Sequence, residues 1–250
     1  MKRFCTTFMI VIAILTVFSC AGDRPPVILE PEQEWLVAEV EFKKKKYAKA
    51  VELYKTFLNH HRGHANASEA AFKIGECYYK QEDYVLAISR FEYFLKTFPF
   101  SKLADEAQYK IGLSHWEQKH AQDYDQTDIE KALQAFEQLV NTYPSSRWKA
   151  DSILKISYCR EILARKLYKA GMFYQRYDKY DSAIKYFDNL IDNYKDTNIG
   201  WVNWARYRKG QCLYFLGNKN KGDEQLKLAY SISNDAKLKR EIMGFIKEME

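Results

Sequence analysis

The amino-acid sequence predicts an all-α fold, a right-handed superhelical solenoid of about five helical hairpins closed by a C-terminal capping helix. Three observations carry that prediction. The stretch AAFKIGECYYKQEDYVLAISRFEYFLKTFP, residues 70–99, reads as two amphipathic helices joined by a short polar turn. Its small residues Gly75 and Ala87 recur at matching places as Gly112 with Ala132, Gly171 with Ala183 and Gly210 with Gly222, and an earlier copy carries Ala38 and Ala50. Finally, a chain of 250 residues with only 10 glycines and 5 prolines, and with no alternating apolar and polar runs, offers nothing from which to build a sheet.

The spacing of Ala71, Ile74, Gly75, Tyr78, Ala87, Phe91 and Pro99 is similar to that of a tetratricopeptide repeat, a helix pair of about 34 residues. Ile74 and Tyr78 lie one turn apart on a buried face. Gly75 and Ala87 are small where the two helices must approach closely, and Pro99 closes the unit. With Gly75 at position 8 and Ala87 at position 20, the other hairpins are numbered in the same way.

Residues 1–19, MKRFCTTFMIVIAILTVFS, combine a basic start, an apolar run from Phe8 to Phe18 and a small residue before Cys20, the pattern of a secretory leader. Val17-Phe18-Ser19-Cys20 resembles a bacterial lipobox, which makes Cys20 the expected lipidation site and an acylated Cys20 the membrane anchor. Residues 20–31 form a lipidated tether, in which Ala21 to Pro31, with three prolines, extends up to ~36 Å at ~3.3 Å per residue. Ala21 follows the cysteine where an aspartate would retain a lipoprotein in the inner membrane of enteric bacteria. The expected location is therefore the outer membrane, facing the periplasm.

The repeat domain occupies residues 32–250. Its hairpins are expected at about 32–62, 68–99, 102–144, 146–195 and 201–231, with the cap at 235–248. Lys43 to Lys46 form a basic turn in the first hairpin. His60, His61 and His64 read as a polar loop between repeats and not as a metal site, because Gly63 is expected to end the helix between them. In the third hairpin about eight extra residues separate the two helices, and Thr127 or Asp128 is placed to cap the second. From Ser146 to Gln175 the apolar period runs almost unbroken, which predicts one long helix. Lys195 stands where proline is usual. Asn234 is placed to cap the last helix, which covers the final apolar face of the solenoid.

Of 39 basic residues, Lys2 and Arg3 belong to the leader, leaving 37 against 33 acidic residues, or +4, spread along the helices. Such a balance points away from nucleic acid. Cys77, Cys159 and Cys212 fall in separate hairpins and read as buried thiols without disulfides. The chain carries no phosphate loop, HExxH, nucleophile elbow, CxxC or recognisable carboxylate pair, so neither catalysis nor a cofactor or metal is expected.

The candidate site is a peptide groove on the inner face. At 100° per residue, positions 5 and 12 of each first helix lie together, about 100° from the main buried direction. Position 5 is Trp35, Phe72, Tyr109, Tyr168 and Tyr207; position 12 is Phe42, Tyr79, Trp116, Gln175 and Tyr214. Trp35, Phe42, Phe72, Tyr79, Tyr109 and Trp116 form the complete part of this ladder. The rings either line a groove for an extended peptide or pack between hairpins. Lys43 and Lys80 either receive a peptide carboxylate or pair with Glu39 and Glu76 one helical turn back.

The lipobox, the proline-bearing tether, the five hairpins, the QDYDQTD insertion at residues 122–128 and the long helix before the fourth hairpin together resemble the BamD (ComL) family of outer-membrane assembly lipoproteins. The resemblance covers essentially the whole mature chain. It implies a non-enzymatic subunit of the machinery that folds β-barrel proteins into the outer membrane. Its N-terminal hairpins would bind the aromatic-ended C-terminal strand of an unfolded barrel, and its C-terminal hairpins would dock on a BamA-like central subunit. Departures from the family pattern are Phe18, Lys195 and Gly222. Two other readings use the same repeats: a scaffold lipoprotein for pilus, cell-wall or division machinery, and a surface lipoprotein that binds glycans on its rings.

Overall fold

The computed structural model describes residues 29–118, 127–195 and 200–249. Cys20, the leader, most of the tether and residues 119–126 of the insertion lie outside the described residues. Among the described residues all regular structure is helical, in eleven helices. They are α1 (Pro31–Lys43), α2 (Tyr47–His60), α3 (Ala67–Lys80), α4 (Tyr84–Thr97), α5 (Ala104–Glu117), α6 (Thr127–Thr142), α7 (Lys149–Arg176), α8 (Tyr180–Tyr194), α9 (Trp201–Phe215), α10 (Lys219–Ile232) and α11 (Ala236–Met249). Taken in pairs they give the five expected hairpins and the cap. The described residues gather into two compact units, divided after Ala70.

The first unit is held by its own rings. Trp35 on α1 lies 5.7 Å from both Tyr54 and Phe57 on α2, and Phe42 lies 5.7 Å from Tyr47. Ala38 and Ala50 are fully buried, as their small size at positions 8 and 20 requires. The Tyr54 hydroxyl donates to Glu39 at 2.5 Å, so a polar atom at the edge of the core keeps a partner.

In the second unit each helix from α4 onward packs on the next, and α7 also reaches α9. The hairpins close on a glycine and a ring. A Cβ added to Gly75 would stand 2.6 Å from the Phe91 ring, and one added to Gly112 2.6 Å from Phe136. Gly171 bears the same relation to Phe187, and Gly210 to Leu226. The space left by the missing side chain at position 8 is thus filled by the residue at position 24, four residues beyond the small residue at position 20. Hairpin five adds a second lock of this kind. Gly222, which departs from alanine at position 20, lies directly under the Tyr214 ring, where a Cβ would collide with it.

Each described turn between paired helices also repeats. Lys45, Glu82, Asp178 and Gly217, all at position 15, adopt positive φ of 60°, 62°, 57° and 80°. The next amide donates back across the helix end, as in Asp83 N–H to Tyr78 O at 3.0 Å and Asn218 N–H to Leu213 O at 2.8 Å, the bond that ends a helix on a left-handed residue. Asp83 then caps α4 by accepting from the Leu86 amide at 3.1 Å.

The long helix expected from the unbroken apolar period is α7, with 28 residues. Its length follows from serving two cores. Cys159 and Leu163 pack with Phe136 and Leu139 of the third hairpin, whereas Ala164, Leu167 and Tyr168 pack with Phe187 and Leu190 of the fourth. The last helix covers the fifth hairpin through Leu238, Ile242 and Phe245, which meet Tyr207, Leu226 and Ala229. Its cap is Asp235 and not Asn234. The Asp235 Oδ1 accepts from the amides of Lys237 at 2.8 Å and Leu238 at 3.2 Å, bonds that hold this carboxyl below its ordinary pKa. Cys77, Cys159 and Cys212 are free and fully buried, and burial pushes the Cys212 thiol up to about 12.

Replacing Gly112 by valine forces the Phe136 ring to move, and we expect a loss of about 1–3 kcal/mol. Gly244, an exposed helical residue of α11 with nothing within 4 Å of its added Cβ, is the counterpart. Gly244→Ala should gain about 0.5–1 kcal/mol from helix propensity alone. Urea midpoints followed by circular dichroism separate the two outcomes.

Candidate functional site

The ladder of rings divides by depth. At position 5, Phe72 is 3% exposed and packs on Phe91 and Phe94 of its own hairpin, with centroids 5.4 and 5.7 Å away. Tyr109 is 7% exposed. It lies 5.9 Å from Phe136 and stacks on Trp148 at 4.5 Å, with the planes only 9° apart, while its hydroxyl donates to Asp151. Tyr168 repeats this arrangement, 6.0 Å from Phe187 and 4.9 Å from Trp201. Trp35, half-buried, is held against Tyr54 and Phe57. Position 5 therefore joins helices within a hairpin and, from the third onward, one hairpin to the next. Phe72 and Tyr109 present no ring face to a ligand, which corrects their place in the expected groove. Their pairing with position 24 leaves no open side.

Position 12 lies nearer the turn, so its rings meet the first turn of the partner helix, and Phe42 meets Tyr54 as well. Phe42 meets Tyr47, and Tyr79 meets Tyr84 at 5.6 Å and 66°; both rings remain half-buried. Trp116 is half-buried against the third hairpin's core. A cation from a later helix lies over each ring of this pair in the second unit. Lys110 Nζ on α5 is 4.7 Å from the Tyr79 centroid, and Lys155 Nζ on α7 is 4.9 Å from that of Trp116. Burial lowers the Lys110 pKa, with Glu76 and Glu106 acting in the opposite direction, and burial raises that of Tyr79. In the fifth hairpin Tyr214 is drawn inward onto Phe245 at 5.4 Å, and its hydroxyl donates to Asp223.

Lys43 and Lys80, the lysines expected from the sequence, are both exposed at the ends of their helices. Their presumed carboxylate partners bond elsewhere. Glu39 accepts from Tyr54, and Glu76 is paired with Lys73 at 2.8 Å. The basic turn is likewise drawn to one acid, Glu41, with Lys44 at 2.9 Å and Lys46 at 3.8 Å, and the Lys44 bond lowers the Glu41 pKa. Lys110 and Lys155 are the residues that reading along single helices misses. Lys110 directly follows the position 5 tyrosine of the next hairpin, a place visible only when consecutive repeats are laid side by side.

A separate cleft of about 680 Å³ opens among α4, α5 and α6, lined by Ile88, Leu95, Gln108, His115, Lys131 and Gln138. Burial lowers the His115 pKa, against the pull of Asp128 3.7 Å away. Gln108 is tied back to the Ala135 carbonyl at 3.0 Å, so the apolar floor carries one fixed amide.

Helical hairpins closed by glycine and ring contacts, two of them with a half-buried ring under a lysine of a later helix, define a protein of the tetratricopeptide type. A family model described as "Outer membrane lipoprotein", YfiO, matches residues 30–203, and the chain belongs to that family. The outer membrane protein assembly factor BamD of Rickettsia prowazekii is 30% identical over 93 residues, 37% of this chain and 34% of that protein. The match thus spans about a third of the relative's length. A TPR repeats protein from Bacteroides fragilis is 16% identical with a TM-score of 0.49, covering 89% of this chain and 100% of its own. The TPR2AB domain of yeast Sti1, in complex with an HSP90 peptide, is 12% identical with a TM-score of 0.43, covering 80% and 76%. Among the described residues no helix is long and apolar enough to cross a membrane.

Two predictions follow the division by depth. Phe72→Ala should cost about 3–5 kcal/mol of stability. Lys43→Ala and Lys80→Ala, exposed positions, should each stay within about 0.5 kcal/mol. The second concerns pH. Burial first, and the bond to Asp151 second, raise the Tyr109 pKa well above its usual value of 10. A native group that keeps its proton longer than the unfolded chain contributes stability below about pH 10 that is lost as pH rises beyond it. Urea midpoints compared at pH 9 and pH 11 should fall less in Tyr109→Phe than in the parent.

Proposed function

We propose that this protein is a non-enzymatic, lipid-anchored subunit of the machinery that assembles β-barrel proteins in the outer membrane. Cys20 carries the lipid, the tether spans from the leaflet to the first hairpin, and the repeats lie on the periplasmic side. The substrate is the aromatic-ended C-terminal strand of an unfolded barrel, and the stable partner is the central barrel subunit with its periplasmic domains. The observation that carries this reading is the family match across residues 30–203, which takes in the first four hairpins and both aromatic–lysine pairs. Tyr79 with Lys110, and Trp116 with Lys155, supply half-exposed rings beside cations. That combination suits a peptide ending in an aromatic side chain and a carboxylate.

The test has two parts. Gentle solubilisation and capture through a C-terminal tag should recover a large β-barrel protein with repeated periplasmic domains in stoichiometric amount, and Cys20→Ser should release the chain from the membrane fraction. Recovery of pilus, cell-wall or division components would assign it to another envelope machine. For the groove, fluorescence anisotropy with a peptide ending in phenylalanine should show at least a tenfold loss of affinity in Tyr79→Ala combined with Trp116→Ala, the helical signal being retained. Unchanged affinity in that variant would remove these rings from the site.

A further inference from the structure

The first unit contains a cluster that the outer-membrane assembly role does not use. Glu34 sits in the first turn of α1, and His60 and His61 form the last residue and the C-cap of α2. Because the two helices run antiparallel, the start of one meets the end of the other, and three potential ligands converge across 26 residues of sequence. His60 Nδ1 lies 2.8 Å from Glu34 Oε1 and His61 Nε2 lies 3.3 Å from Glu34 Oε2. One ligand atom from each residue falls within 4.8 Å of the other two. Here the loop reading of these histidines is incomplete. The helix ends at His60, ahead of Gly63, and the third group comes from another helix.

The bonding in the cluster is unfinished. His60 and Glu34 form a hydrogen bond, but Glu34 Oε2 and His61 Nε2 are both buried and both without a hydrogen-bond partner, although they face each other at 3.3 Å. Glu34 is only 8% exposed, an unusual depth for a carboxylate. A buried acceptor and a buried ring nitrogen left in this state cost free energy unless something satisfies both. A cation bound by all three groups does so. Two imidazoles and one carboxylate are ligands that divalent zinc and its borderline neighbours accept, and a fourth position is left for water. A tetrahedral ion at about 2.0–2.2 Å from each ligand needs the ligand atoms roughly 3.4 Å apart, within small side-chain rotations of the separations seen. The His60 side chain is 32% exposed, so the site is open to solvent from one side.

We propose that Glu34, His60 and His61 bind a divalent transition metal of the zinc class, with one ion per chain. The ion bridges the start of α1 and the end of α2 and locks the first hairpin shut. The need for such a staple is physical. The first unit contains one hairpin and little more, and a core of that size gains much from a metal cross-link. His61 and His64 also pack on Phe57, at 5.3 and 5.5 Å, which ties the orientation of the His61 ring to the hairpin core.

The experiment is isothermal titration of zinc sulfate into the full mature chain, tag removed and pretreated with chelator. We expect one equivalent bound with micromolar Kd or tighter and a rise in Tm, with magnesium giving neither. Glu34→Gln keeps an oxygen for the His60 hydrogen bond and should fold, yet lose at least tenfold in zinc affinity together with the Tm shift. His61→Ala should do the same. X-ray absorption of the zinc-loaded chain should show two imidazole nitrogens in the first coordination sphere. No stoichiometric binding, equal binding by both variants, or a coordination sphere without imidazole would each overturn the proposal. Capture of a barrel subunit by a metal-free chain would leave the assembly role intact, so the two readings fail separately.

Discussion

The distance at which the two helices of a hairpin pack is set where the ring or branched chain at position 24 rests on a backbone without a Cβ, and the surface of the second unit follows from that contact. Phe91, Phe136 and Phe187 occupy this place on Gly75, Gly112 and Gly171, and Leu226 does so on Gly210. With the helices held so close, the fully buried Ala87 and Ala132 at position 20 close the hairpin interior. Tyr79 and Trp116, at position 12, stay half outside. In the fifth hairpin position 20 is Gly222, and the Tyr214 ring rests on its backbone and against Phe245 while staying half-buried. The residue at position 20 thus decides what the position 12 ring can rest on. A departure from the repeat pattern that looks like weakness in the sequence is, in the structure, a different packing of the same hairpin.

The hairpins, their order and the long helix were legible because small residues at fixed spacing inside amphipathic helices have few other reasons to recur. The depth of the rings was not. Positions 5 and 12 are seven residues apart and share a direction on a helical wheel, yet Phe72 faces the middle of its partner helix, where Phe91 and Phe94 enclose it, and Tyr79 faces only the first turn, at Tyr84. Periodicity reports direction around an axis and says nothing of what stands at each height along it. The same blindness hid Lys110 and Lys155, which reach the rings from later helices. It also favoured Lys43 and Lys80, whose expected carboxylates had closer claimants in Tyr54 and Lys73.

Charge in this chain is therefore settled locally, by contacts across helices more than along them. Surface pairs such as Lys44 with Glu41 add little to stability, because water competes for both partners. The consequential groups are those whose hydration is partly removed. Lys110 lies over the Tyr79 ring, burial working against its charge and the more distant field of Glu76 and Glu106 for it, while those acids are themselves paired with Lys73 and Arg147.

The histidines at the end of α2 carry the same reasoning to the other unit. Along the sequence His60, His61 and His64 are three polar residues beside a glycine, and no pattern within one helix makes them more. The antiparallel hairpin supplies Glu34, and with it a buried carboxylate whose second oxygen faces an imidazole without bonding to it. What the residues at a hairpin's open end can do is fixed by the helix they meet there. The turn end of the second and third hairpins presents a ring under a lysine, and the open end of the first gathers an acid and two imidazoles. Both arrangements arise because the middle of each hairpin is filled by interlocked small and large apolar residues, which leaves the mixed polar and aromatic groups at its two ends.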